Sequence, residues 1–203
     1  PGVALDLAQQ RSQAVSGLRY DLHFAIPADP ALPITGSLVA QFDLNDATTP
    51  LVLDFRAPAD HVYSVRLNGI DIDYQLPPDH IVIPVRYLVA GSQRVEIAFR
   101  SNDSALNRQA GFMYTLFVPD RASTAFPVFE QPNLKARFNL TLQLPAHWEA
   151  LANGARVRRE QSDAGIDEWQ FAETLPISTY LFAFAAGEME VETAMRAGRE
   201  YSL

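Results

Sequence analysis

Histidine is the first residue type here whose spacing could make chemistry, because neutral imidazole is a common zinc ligand. His23, His61, His80 and His147 lie far apart, on different predicted strands or turns. No pair has the His-x-x-x-His spacing that sets two rings on one face of a helix. A metal site would have to be assembled in three dimensions, and scattered surface or core imidazoles are the simpler reading. A serine nucleophile fares no better: Ser37 follows Gly36 without the second glycine of a Gly-x-Ser-x-Gly elbow. Neither a phosphate-binding loop nor a dinucleotide fingerprint occurs. With no cysteine in the chain, thiolate metal sites, disulfides and cysteine nucleophiles drop out together. Asp71 and Asp73 sit two apart among Ile70, Ile72 and Tyr74, a spacing that suits acid/base work or a hard cation. The wet face of a hairpin explains the same spacing. Glu188, Glu190 and Glu192 alternate with Met189 and Val191, as on a solvated strand edge.

A different kind of signal runs from Gly111 to Phe138. This segment is rich in aromatics, and Pro119, Pro127 and Pro132 fix φ along it and remove three backbone donors. Such a chain follows a rigid path over the surface or between layers. Glu130, Arg121, Lys135 and Arg137 are charged partners that could hold that path through ion pairs.

The elements that must position these residues have a period of two. Leu22, Phe24 and Ile26 alternate with polar or small neighbours, as do Leu38, Ala40, Phe42 and Leu44. The sets Tyr63/Val65/Leu67, Ile81/Ile83/Val85, Val95/Ile97/Phe99, Phe138/Leu140/Leu142/Leu144 and Trp169/Phe171 repeat the pattern. Each set predicts a half-buried strand. Turn residues separate them, and Asn68-Gly69 predicts a two-residue hairpin between residues 63–67 and 70–74. Residues 175–187 are almost continuously apolar and predict a central strand covered on both faces. Helix is scarce: residues 3–15 place Leu5, Ala8 and Val15 on one face of a short amphipathic helix. The expected fold is all-β, a saddle-like sandwich of packed, mostly antiparallel sheets with a short N-terminal helix, in one domain over residues 1–203.

Composition sets the function classes. The 203 residues are 48% hydrophobic and 20% charged, ordinary for a globular domain. Sixteen basic against 24 acidic residues give a net charge of -8, and Lys135 is the single lysine. Nucleic-acid binding, which needs clustered cations, is therefore not expected. No apolar run approaches the roughly 20 residues of a membrane span. The chain opens on Pro1-Gly2 without an initiator Met, as if a signal peptide or other upstream residues had been removed. An extracytoplasmic or periplasmic location is expected slightly ahead of a cytoplasmic one, with no motif that fixes either. Asn102-Asp103-Ser104 and Asn139-Leu140-Thr141 match the glycosylation pattern, but Asn139 falls within a predicted strand.

The run Phe126-Pro127-Val128-Phe129-Glu130-Gln131-Pro132-Asn133-Leu134-Lys135-Ala136 resembles the Phe-Pro-Cys-Phe-Asp-Glu/Gln-Pro-x-Leu-Lys-Ala motif of aminopeptidase-N-like zinc peptidases. These are the gluzincins that include leukotriene hydrolase, and the motif belongs to their N-terminal domain. Flanking stretches resemble the same domain in the same order. They are Arg19-Tyr20-Asp21-Leu22, Leu51-Val52-Leu53-Asp54-Phe55, Val65-Arg66-Leu67-Asn68-Gly69, Trp148-Glu149-Ala150 and Thr174-Leu175-Pro176-Ile177-Ser178-Thr179-Tyr180-Leu181 with Gly187.

The resemblance implies an N-terminal β domain that caps a downstream catalytic domain and contributes a wall to the substrate pocket. The zinc ligands and general base would lie in that catalytic domain, so no catalytic residue, metal ligand or cofactor is expected in this chain. The implied partners are that catalytic domain and a peptide substrate losing its N-terminal residue. Phe126, Pro127, Phe129, Glu130, Gln131, Pro132 and Lys135 are implied to be structural. At the pocket wall the family usually has Gln-x-Glu-Pro or Gln-x-Gln, and here those positions fall on Leu116 and Val118, followed by Pro119. Neither side chain can hydrogen-bond an ammonium group. Either the pocket is altered and more apolar, or the loop is shifted and these residues are core. Val128 for the family's Cys keeps a small apolar filler, whereas Glu130 for its Asp lengthens the arm and re-aims an ion pair. A cut from a catalytic domain also predicts an exposed apolar patch including residues 112–118. Two rivals follow from fold alone: a stand-alone β-sandwich module binding protein or carbohydrate, and a catalytically inactive homologue.

Overall fold

Alternating apolar residues dominate the molecule, and strands follow wherever one face can be buried. A computed structural model describes residues 2–161 and 165–202. Helix α1 (Leu5–Ala14) leads into β1 (Val15–Ala25), β2 (Thr35–Leu44), β3 (Leu51–Asp54), β4 (Val62–Leu67), β5 (Ile70–Asp71), β6 (His80–Ile83) and β7 (Gly91–Arg100). After these come β8 (Leu106–Gln109), β9 (Phe112–Thr115), the one-turn helix α2 (Ala122–Ala125) and β10 (Arg137–Pro145). The chain ends with β11 (Glu149–Ala152), β12 (Arg156–Glu160), β13 (Ile166–Phe171), β14 (Phe184–Gly187), β15 (Thr193–Arg196) and β16 (Arg199–Ser202).

Eight strands form one sheet in the order β12-β13-β10-β1-β2-β7-β4-β5, and four form a smaller one, β11-β14-β9-β8. The ribbons β3–β6 and β15–β16 complete the strand set among the described residues. Pairing is antiparallel except between β1 and β10, where Tyr20 lies beside Phe138 and Phe24 beside Leu142. The predicted all-β architecture is the observed one. Tyr20, Leu22 and Phe24 on β1, Leu38 and Ala40 on β2, and Leu142 and Leu144 on β10 are almost wholly buried. Aromatic rings join the layers. Phe24 packs on Phe184 of the small sheet at 5.4 Å and edge-on to Phe126 at 6.2 Å, while Phe138 stacks on Phe182 at 4.5 Å. Asn68 and Gly69 take positive φ, 51° and 82°, and close the β4–β5 hairpin in the primed turn that matches strand twist.

Several expectations need correction. The N-terminal helix forms, but not by burying a Leu5 face: Leu5 is 74% exposed, and the buried residues are Arg11 and Ala14. Tyr63 does not share a face with Val65 and Leu67. The register shift between Val62 and Ser64 makes Tyr63 the extra residue of a bulge, so Val62 turns inward instead. Val85 leaves the Ile81/Ile83 face because Pro84 ends β6 and a 3-10 turn follows. The hairpin partner is only Ile70–Asp71. Residues 175–187 are not one central strand. Leu175 is 77% exposed beside Pro176, Thr179–Leu181 is a 3-10 turn, and only Phe184–Gly187 is a strand, central in the small sheet. Glu188, Glu190 and Glu192 lie beyond β14 and form no strand edge.

Candidate pocket wall and its buried support

The segment that carries the candidate wall starts as strand β9. Its side chains alternate across the sheet: Met113 and Thr115 point into the core, and Phe112 and Tyr114 face out. The alternation continues past the strand end. Phe117 is 2% exposed, whereas Leu116 is 45% and Val118 53% exposed. Leu116 and Val118 are therefore surface residues and not core. Pro119, joined to Val118 by a cis peptide bond, is also exposed. Cross-strand register extends this face, because Tyr114 pairs with Ala185 and Ala185 with Leu151. Leu151 is exposed as well, so an apolar row runs across β11, β14 and β9. Within the stretch of the predicted patch, Phe112, Tyr114, Leu116 and Val118 are all exposed.

Three tethers hold the inner side of this segment. Thr115 Oγ1 accepts from Phe184 N at 3.1 Å. Leu116 N donates to Ala105 O at 2.9 Å, and Arg121 N donates to Phe117 O at 2.8 Å. The last bond leads into α2, whose Ser123 N donates to the Glu130 carboxylate at 2.6 Å.

Glu130 belongs to the aromatic loop of residues 126–136, which lies between the layers. Phe126, Val128, Phe129 and Ala136 are fully buried, and Pro127 is buried with them. Pro132 and Lys135 are exposed. The loop is pinned by hydrogen bonds: Val128 exchanges two with Asp54, and Phe129 N donates to the Tyr20 hydroxyl at 2.9 Å. Ala136 exchanges two more with Ile177. Gln131 Nε2 reaches back to Ala8 O and Ser12 Oγ of α1 at 2.9 and 2.8 Å. The expected ion pairs of Glu130 with Arg121, Lys135 or Arg137 do not form. Arg121 donates to Ser104 O and Arg137 pairs with Glu173. The Glu130 carboxylate instead accepts from Ser123 N and from Thr179 Oγ1 at 2.7 Å. Its longer arm thus spans two neutral donors and re-aims no ion pair. Burial holds the Glu130 carboxyl above the ordinary glutamate range, outweighing those two hydrogen bonds and the nearby Arg56 charge. The Tyr20 phenol, wholly buried, is likewise pushed up and stays neutral.

The ion pair that does organise this region was not anticipated. Arg11 forms a two-pronged contact with Asp54, Nη1 to Oδ2 and Nη2 to Oδ1, both at 2.8 Å. Its Nε and Nη2 also donate to Val52 O. His80 Nδ1 lies 3.1 Å from Asp54 Oδ1, and Glu130 N donates to Asp54 Oδ2 at 2.8 Å. The one sequence hint is phase. Arg11 stands three residues before buried Ala14 on the same side of the helix, and Asp54 ends a strand of buried leucines.

No cluster of three or more metal-ligating side chains occurs among the described residues. The imidazoles are engaged apart: His61 with Arg100 O, His80 with Asp54, and His147 with Glu188. His23, on β1, is half-buried, and burial lowers its pKa against the pull of Glu168. Asp71 and Asp73 are exposed and pair with Arg66 and Arg86 respectively.

Fold and surface together define a class: a β domain of two unequal sheets, with an outward apolar strip and a buried polar knot behind it. The Peptidase M1 N-terminal domain family matches residues 16–181, and the chain belongs to that family. Probable M1 family aminopeptidase 1 of Encephalitozoon cuniculi is 40% identical over 78 residues, 37% of this chain and 9% of that protein. Aminopeptidase N of Streptomyces lividans is 27% identical over 156 residues, 72% of this chain and 18% of that protein. The fold matches the crystal structure of an M1 zinc metallopeptidase from Deinococcus radiodurans with a TM-score of 0.78 at 19% identity, covering 90% of this chain and 44% of that one. A mutant of the same enzyme bound to a Tyr-Ser-Ala substrate gives 0.76, covering 94% and 47%. The chain thus spans less than half the length of each of these proteins.

Proposed function

We propose that this domain is the scaffold and one substrate-pocket wall of a zinc-dependent aminopeptidase that removes N-terminal residues from peptides. Zinc belongs to a separate catalytic domain in this reading, and the outward apolar row of the small sheet is the surface that domain covers. Leu116, Val118 and Pro119 stand at the end of that row and form the wall. The observation that carries the reading is the alternation of residues 112–118, which exposes four large apolar side chains in a row along β9 and the residues that follow it. A solvent-facing strand in a free-standing domain would place polar residues there. Leu116 and Val118 give the wall apolar contact and no acceptor for a substrate ammonium group. Zinc content and hydrolysis of aminoacyl chromogenic substrates by the full-length protein test the proposal. Both should be present, and the 203-residue chain alone should show neither. A full-length protein that holds no zinc and cleaves no such substrate would leave a binding role instead.

A further inference from the structure

The N-terminal segment touches the support of the wall at two separate places. At one, Gly2 N donates to Asp120 Oδ2 at 3.1 Å, and Asp120 directly follows Pro119. At the other, Arg11 grips Asp54 through both nitrogens of its fork and lies 5.5 Å from the Phe129 ring centroid. Between these contacts the segment crosses a cleft of about 300 Å³ whose far side includes Arg56, Ser123 and Glu130. From Arg11 an unbroken line of short contacts runs to the wall. Asp54 Oδ2 accepts from Glu130 N, the Glu130 carboxylate accepts from Ser123 N, and α2 returns through Arg121 N to Phe117 O. Phe117 sits between Leu116 and Val118. Arg56 braces the same line, donating from its backbone to Ser123 O and from Nε to Ser123 Oγ, each at 2.8 Å.

The geometry points to a positioning role for this segment: α1 is a strap whose docking through Arg11 and Asp54 sets the placement of residues 116–119. Leu5 is exposed, Leu7 is half-buried against the cleft and Ala14 is buried. The helix's other anchors are hydrogen bonds: Gln131 and Asn133 on Ala8 and Ser12, Gln10 on Thr49 and Pro50, and Asn45 on Gln13 and Ala14. Those bonds are exposed or part-buried, whereas the charged Arg11–Asp54 fork is buried, so the fork is the contact that decides whether the helix is docked or released. Release takes a partner away from Asp54, and Asp54 is the acceptor for Glu130 N. The name of the wall rests on the proposed function, whereas the link from Arg11 to residues 116–119 does not.

The chain has no cysteine, so a Val118→Cys variant carries one trifluoromethyl label, with a Val157→Cys variant on exposed β12 as control. Fluorine NMR of the label and amide hydrogen exchange are recorded with Arg11, with Arg11→Met and with Arg11→Lys. In Arg11→Met the Ser123 and Glu130 amides should exchange about tenfold faster or more, the factor that loss of one charge-assisted hydrogen bond implies. The label at position 118 should shift or split, while the label at 157 and the β2–β7 amides stay unchanged. Arg11→Lys, which keeps the charge and loses the fork, should fall between. It also serves as the test variant if Arg11→Met does not fold. Free exchange in α1 with an unchanged label at 118 overturns the proposal. So does uniform acceleration that includes β2–β7. An inactive full-length protein removes the substrate role of the wall and leaves these readouts standing.

Discussion

Glu130 offers the sharpest test of how the aromatic loop is held. Its carboxylate accepts from Ser123 N at 2.6 Å and Thr179 Oγ1 at 2.7 Å, and both partner residues are 1% exposed. Glu130→Ala strands both donors, at about 1–3 kcal/mol each, so about 2–6 kcal/mol of folding stability should disappear. With an m value of about 2–3 kcal/mol/M, the urea midpoint should drop by about 0.7–3 M. Glu130→Gln behaves differently. Its Oε1 can accept from Ser123 N, and its Nε2 can donate to a Thr179 hydroxyl turned round to accept. The amide also carries no charge to desolvate, so Glu130→Gln should lie within about 1 kcal/mol of the parent at neutral pH.

The pH profile separates charge from shape. Burial raises the native carboxyl above the ordinary glutamate value of 4.5. Below 4.5 the folded and unfolded chains are both protonated at this site, and its full contribution is present. As pH rises the unfolded chain ionises first, so stability falls until the native group has ionised too. Subtracting the Glu130→Gln profile from the parent profile isolates this decline, since the amide does not titrate. The expected difference curve is flat below 4.5, falls above it, and levels off once the raised native value is passed. A difference that rises with pH, or a Glu130→Gln variant as damaged as Glu130→Ala, would refute the reasoning.

Other perturbations probe other parts of the same frame. A Cβ at Gly187 would stand 2.6 Å from Gly111 O and 2.6 Å from Phe112 Cβ. Gly187→Ala should therefore cost about 1–3 kcal/mol by calorimetry, because the obstacle is backbone with nowhere to move. Tyr114 stands at the centre of the exposed apolar row, so Tyr114→Lys should lower self-association of the 203-residue chain in sedimentation while leaving its circular dichroism unchanged. In the full-length protein, Leu116→Gln with Val118→Glu should lower KM for substrates with a free amine by about tenfold, the scale of one charged hydrogen bond, with a smaller change in kcat. His23 is held below its ordinary 6.5 by burial. Its contribution should be complete above 6.5 and lost as pH falls, a loss that His23→Gln removes in matched urea titrations.

What the sequence made legible depended on how local the cause was. Alternation located the large-sheet strands and their core residues, because one buried face forces a period of two at every step. The phase failed at Tyr63, where a bulge set by pairing with β7 added a residue that no local pattern announces. Residues 175–187 misled for a related reason. Pro176 and the turn at Thr179–Leu181 bend the chain, so its apolar residues are buried by loop packing and only the last four by a sheet. Residues 112–118 were recognisable as special, but apolar side chains look alike whether they face a core or an interface. Exposure at Leu116 and Val118 is a tertiary property. The Arg11–Asp54 pair was illegible, since 43 residues separate its members. The ion pairs expected for Glu130 rested on complementary charge within one stretch, and proximity in the chain is not proximity of side chains.

The wall and its support divide the work between alternate residues of one segment, and that division has a consequence for specificity. Met113, Thr115 and Phe117 hold the segment from inside, so Phe117→Ala should cost about 3–5 kcal/mol, as deletion of a fully buried ring does. Phe112, Tyr114, Leu116 and Val118 face outward and add little to the fold of this chain by itself, where surface substitutions usually stay within about 0.5 kcal/mol. Outward residues can therefore change character without unfolding the domain. Leu116 and Val118 are such positions: both are exposed, both are free of the inward tethers made by the side chains of Thr115 and Phe117, and neither offers a side-chain acceptor. The buried set is more tightly bound by its partners: the Glu130 carboxylate meets one backbone donor and one hydroxyl, and its own N–H meets Asp54, so a replacement there has to satisfy all three together.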